Sequence, residues 1–219
     1  MNPMQRRQLK SLSYIVPEVL EASVKPAVIA ILQNAEHAKH LSGTQKREII
    51  EKYHAAHLAL LFKHGAILTS DVTVCVQENE DYDCVLKLID GAQDEVYKIV
   101  QLKQLPNVSH APNIQTEIDK LKLKYPTSSD LMVSIWINRN AKIDLRDLDF
   151  RGLKIEQLWL VGTTPNGDVT LHGGIISDLI SGVCQARIVS DGIPKNERIW
   201  FKANASNRGG NEICRQKEN

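Results

Sequence analysis

The chain has 219 residues, of which 42% are hydrophobic and 24% charged, the proportions of a soluble folded domain rather than a disordered or fibrous chain. Its 27 Lys and Arg nearly balance 26 Asp and Glu, so overall charge does not mark a nucleic-acid binder and any basic surface must be local. The longest apolar stretch, near 27–32, is far short of the roughly 20 residues of a membrane helix, and residues 1–10 lack the apolar segment of a secretory signal. Cys75, Cys84, Cys184 and Cys214 are widely spaced with no Cys-x-x-Cys pair, which predicts reduced thiols, a cytoplasmic location and no membrane partner.

Residues 14–40 read as two short helices, with Pro17 and Pro26 in their first turns and Val19, Leu20, Val24, Val28, Ile31 and Leu32 as the apolar series. An N-terminal helical extension is therefore expected over 1–43. Ser42-Gly43-Thr44 breaks the pattern and offers Thr44 as N-cap of a longer helix to about His64. Its core stripe is Ile49, Tyr53, Ala56 and Leu60, flanked by Ile50, His57 and Leu61, and Gly65 suits the C-cap.

Three β-prone runs follow: 72–77, 81–89 and 95–103, the last two joined by Asp90-Gly91-Ala92-Gln93-Asp94. They predict an antiparallel meander. Pro106 ends the third strand, and Ile114, Ile118, Leu121 and Tyr125 space out a helix that stops before Pro126. Residues 131–137 form a dense buried strand. Residues 141–152 are charged and irregular. Two runs, 157–161 and 169–172, flank the turn signal Asn166-Gly167 as a second hairpin. A short helix within 175–189 and a short strand at 198–201 complete an α/β domain over 44–202, and 203–219 reads as a disordered tail.

The chemistry lies on the first hairpin. A turn centred on Ala92 sets Asp83 opposite Gln101 and Asp81 opposite Lys103, and strand alternation puts all four side chains on one face. Phosphodiester hydrolysis is very slow in water, and enzymes overcome it with a divalent cation. A hard cation such as Mg²⁺, or Mn²⁺ in its stead, takes oxygen ligands: Asp83 supplies an anionic one, Gln101 a neutral one, and water the rest. Lys103 can hold the attacking water or the developing phosphate charge.

The segment from about Thr44 to Ile137 resembles the PD-(D/E)XK nuclease superfamily, with its helix, three-stranded meander, helix and strand, an Asp at the second strand and Glu-x-Lys on the third. Gln101-Leu102-Lys103 is a Gln-x-Lys in that place, preceded by the acidic run Glu80-Asp81-Tyr82-Asp83. This variant resembles the Mrr-like branch of type IV restriction endonucleases and some anti-phage effector nucleases. The resemblance implies a restriction-endonuclease-like fold and metal-dependent cleavage of DNA, with Asp83, Gln101 and Lys103 catalytic and Asp83 and Gln101 on the metal. It implies Asp81 or Glu51 as an assisting acid; His54 aligns where the family often carries a helical Glu, and Glu48 is a further substitute. It also implies a homodimer, and allows a sensor or regulatory subunit on a separate chain.

Other residues have plainer readings. Lys120, Lys122 and Lys124 suit DNA phosphates, or a solvated face balanced by Glu117 and Asp119; Arg139, Lys142, Arg146 and Arg151 form a second basic group. His54-x-x-His57 and His37-x-x-His40 each set two imidazoles on one helix face without further ligands, so His57 reads as a core margin and the others as water-facing. Because Gln replaces the usual Glu and removes a negative charge, the alternative function is a nuclease-fold binding or scaffolding module without catalysis.

Overall fold

In the computed structural model, described for residues 1–64, 71–77, 79, 81–89, 94–105, 113–137, 147–163, 169–180, 185–189, 197–202 and 212–217, the chain begins with three α-helices. α1 (Pro3–Lys10) has Pro3 in its first turn and Asn2 as cap, the Asn2 side chain accepting from Gln5 N at 2.8 Å. α2 (Pro17–Leu32) is one helix and not two. Pro26 lies inside it and cannot donate to the Ala22 carbonyl, but both residues are exposed, where water can take that carbonyl, while Leu20, Val28 and Ala30 are buried.

α3 (Gly43–His64) is capped by Ser42 rather than Thr44. Ser42 Oγ accepts from Gln45 N at 3.2 Å and Gln45 Oε1 accepts from Ser42 N at 2.8 Å, a reciprocal capping box. The expected stripe holds at Ala56, His57 and Leu61, but Ile49, Ile50, Tyr53 and Leu60 are only half-buried, and every residue over 54–59 is buried. A helix enclosed on all sides needs small residues for its neighbours to approach, and Ala55, Ala56 and Ala59 provide them. α2 packs along it, with Lys63 Nζ donating to Glu18 Oε1 at 2.7 Å. Gly65 lies outside the described residues.

β1 (Val72–Cys75), β2 (Cys84–Ile89) and β3 (Glu95–Leu105) form the expected antiparallel meander. Val74, Val85, Leu86 and Val100 are wholly buried, each contributing roughly 1.5–3 kcal/mol of apolar transfer. Ile15 exchanges backbone hydrogen bonds with Val74 at 2.9 and 3.0 Å. Residues 1–43 are thus built into the same compact unit, Met1–Leu102, instead of extending from it.

The second compact unit is Lys103–Asn219, so the boundary falls within β3 and within the span expected as one domain. Here α4 (Ile114–Lys124) is capped by Asn113 and buries Ile114, Ile118 and Leu121, as their spacing predicts. β4 (Ser128–Ile137) is parallel to β5 (Ile155–Thr163), which is antiparallel to β6 (Val169–Ile175), and β6 is antiparallel to β7 (Gln185–Val189). The second hairpin is present with longer strands than expected; its turn, 164–168, lies outside the described residues. α5 (Ile176–Ile180) is the short helix. β8 (Glu197–Lys202) pairs with β9 (Glu212–Lys217), so the stretch read from composition as a loose tail carries a strand.

The fold is α/β. Among the described residues no helix is long and apolar enough to cross a membrane. Cys75 and Cys84 are buried free thiols.

Candidate metal and phosphate site

The β2–β3 ladder pairs Ile89 with Glu95 at one end and Cys84 with Val100 at the other, the register of a turn centred on Ala92; turn residues 90–93 lie outside the described residues. At Asp83 the ladder slips by one. Asp83 N donates to Val100 O at 3.0 Å, while Asp83 Oδ2 accepts the Leu102 backbone N–H at 2.6 Å and the side-chain amide of Gln101. The carboxylate therefore stands where the next backbone carbonyl of the ladder would be, a local irregularity of the bulge kind. Asp83 and Gln101 meet, as expected. Gln101 is 7% exposed, so its amide needs a partner, and a carboxylate can only accept; the Gln101 group facing it is Nε2. Asp83 Oδ1 takes no hydrogen bond among the described residues.

Asp81 does not continue the β2–β3 ladder, which ends at Cys84 and Val100, so the pairing expected for it with Lys103 is not part of that ladder. The Asp81 N–H donates to Asn79 Oδ1 at 3.3 Å in a tight turn closed by backbone bonds between Asn79 and Tyr82, and its side chain is exposed. Once the Asp83 side chain replaces a rung, the chain before it is released into a turn that Asn79 can close. Lys103 follows Gln101 by two residues along β3, so alternation gives the two one face of that strand; Lys103 is half-buried. Glu51 lies 3.6 Å from Arg47 on α3. Among the described residues no three His, Cys, Asp or Glu side chains gather where a metal could be held, so neither Glu51 nor Asp81 joins Asp83 in such a cluster.

His54, expected to face water, is 3% exposed. It falls in the stretch of α3 that is enclosed on all sides, where the stripe alone did not place it. Burial, then the neighbouring His57, holds its pKa down to about 3, so it is neutral at physiological pH. His57 is buried too, with Nδ1 3.2 Å from Tyr53 O and its ring centroid 4.1 Å from that of Tyr53.

Two of the three α4 lysines expected to face DNA are paired with acids, and the third lies over an aromatic ring. Lys120 Nζ donates to Glu117 at 2.7 Å, Lys122 Nζ to Asp119 at 3.0 Å, and Lys124 Nζ lies 5.1 Å from the Tyr125 ring centre. Arg151 binds both carboxylate oxygens of Asp149, at 2.8 and 3.1 Å, and holds that acid down to about 2. Arg139, Lys142 and Arg146 lie outside the described residues.

The donor chemistry at Asp83 bears on a cation. Mg²⁺ is commonly held by one or two carboxylates, with substrate phosphate and water completing its shell. Asp83 Oδ1, with the Gln101 carboxamide beside the carboxylate, fits a cation of this kind. The adjacent Cys84 thiol has its pKa pushed up by burial first and then by the Asp83 charge, so it remains a thiol at neutral pH. The Leu102 N–H is the member of the site that side-chain pattern does not show, because a backbone donor has no signature in sequence. No family model, curated protein or solved structure matches this chain.

Proposed function

We propose that the chain is a restriction-endonuclease-like, divalent-cation-dependent nuclease that hydrolyses phosphodiester bonds in DNA. The observation that carries the reading is the meeting of Asp83 with Gln101 at the end of the β2–β3 ladder, with Lys103 next on the Gln101 face of β3. The order α3, β1–β3, α4, β4 supports it, being the helix, antiparallel meander, helix and strand of the family that the sequence resembles. Asp83 and Gln101 form the cation end of the site. A bound Mg²⁺ or Mn²⁺ supplies charge neutralisation and an acidified water. The Lys103 ammonium, a compact charge on a flexible stem, steadies the attacking water or the phosphate oxygens. A role in restriction or anti-phage defence, as a homodimer or beside a sensor on another chain, belongs to the same reading.

A second reading has its own support. Asp83 Oδ2 is already satisfied by two N–H donors, which is what a nuclease-fold binding module without catalysis would retain.

Incubating plasmid, single-stranded DNA and RNA with the full chain, with Mn²⁺ or EDTA, separates the two. The nuclease reading expects Mn²⁺-dependent cleavage of DNA that Asp83→Asn and Lys103→Ala each reduce by about 10²–10³-fold with unchanged circular dichroism. Folded wild type that cuts none of these substrates, and shows no calorimetric Mn²⁺ binding that depends on Asp83, sinks it in favour of the binding module.

A further inference from the structure

We infer that Gln101 is a positioning residue for Asp83 and not a direct ligand: with the Leu102 N–H it holds Oδ2 and leaves Oδ1 as the oxygen offered to a cation. This deepens the nuclease reading and rests on it.

The geometry argues for that division of labour. A carboxylate held by one hydrogen bond can still rotate about its Cβ–Cγ bond. Here two donors, a backbone N–H and a side-chain amide, converge on the same oxygen, so the rotation is fixed and the two oxygens become inequivalent. Leu102 N belongs to strand backbone and Gln101 is buried, so both donors stand on a rigid element. A Glu at position 101 would set a second carboxylate against Asp83, a pair that is stable only when a proton or a cation lies between them. With Gln there, the site is already formed in the metal-free protein. Outer contacts that orient a ligating carboxylate typically change metal affinity by 10–100-fold when removed, enough to give Gln101 a function without coordination.

The test uses ¹H–¹⁵N NMR of the full chain, reading the Leu102 amide proton, together with Mn²⁺ affinity by calorimetry. In metal-free wild type the Leu102 amide should sit downfield, as a bond to a carboxylate requires, and should move little when Mg²⁺ is added. Gln101→Met, which keeps the volume and loses the donor, and Gln101→Ala should both move it upfield and weaken Mn²⁺ binding by about 10-fold. Gln101→Glu should lose the downfield shift without metal and regain it with Mg²⁺.

A Leu102 amide that stays in place in all three folded variants overturns the inference. So does weaker Mn²⁺ binding with an unmoved Leu102 amide, which would make Gln101 a direct ligand. Failure of the function reads differently: wild type with a Gln101-dependent Leu102 shift that neither binds Mn²⁺ nor cuts DNA overturns the nuclease reading, and the cation role with it.

Discussion

Asp83 leaves its strand one residue before the β2 ladder begins; its carboxylate closes the backbone through Oδ2, and the proposed function asks a second thing of it, cation binding through Oδ1. The two demands can be separated by substitution. Asp83→Ala removes the acceptor of a backbone N–H next to a buried amide, so it should cost about 1–3 kcal/mol in a urea titration. Asp83→Asn keeps an oxygen at that position while removing the charge, so it should cost clearly less and still abolish cation binding. Equal losses of stability in the two variants would show that the Leu102 bond is not what Asp83 contributes to the fold. The meeting of Asp83 with Gln101 was legible in the sequence because the expected register holds as far as Cys84 and Val100, the rung beside them, and the Asp83 side chain bridges the slip that follows. The placing of Asp81 was not, since a side chain that replaces a ladder rung cannot be foreseen from alternation.

At the scale of elements, the sequence signals bracket α3 to within a residue or two, yet Ser42 and not Thr44 is its cap. Ser42 and Thr44 each precede an apolar period, but only Ser42 has Gln at the third position after it to return the bond. Ser42→Ala should therefore destabilise the protein by about 1 kcal/mol, and Thr44→Ala, at an exposed helix position, by much less; thermal unfolding of the two variants compares them directly. Pro26 misled in the other direction. Proline is a good first-turn residue, so its spacing from Pro17 suggested a second helix start, whereas the buried side of α2 runs on through Val28 and Ala30 and holds the helix together across it. Replacing Pro26 by Ala restores the missing donor and should stabilise the chain, by an amount up to the roughly 3 kcal/mol that separates the two residues in a helix interior. A fall in stability would mean that the proline ring is itself packed.

Over the whole molecule, the succession from α3 to β4 was readable because the elements are apolar stripes or dense apolar runs and most are bounded by breakers such as Pro106 and Pro126. α1, β7 and β9 were not, being short segments without a clear apolar period, the two strands held by pairing with β6 and β8. Global stability also integrates groups that pattern reading cannot rank. His54 is held neutral by burial, with a pKa down to about 3, and Glu95 is held ionised, with a pKa down to about 2, by bonds from Lys87 Nζ at 2.6 Å and the Tyr97 hydroxyl at 2.8 Å. Both folded-state values lie below those of the unfolded chain, about 6.5 for His and about 4.3 for Glu, so in each case the unfolded state takes the proton first. Stability should accordingly be full above about pH 6.5, decline through His54 as pH falls below that, and decline further through Glu95 from about pH 4.3 toward 2. Urea midpoints measured across this range should lose their upper slope in His54→Leu and only their lower slope in Glu95→Gln. A wild-type midpoint that is flat from about pH 6.5 to 4.3 would contradict a buried, neutral His54 in the folded state.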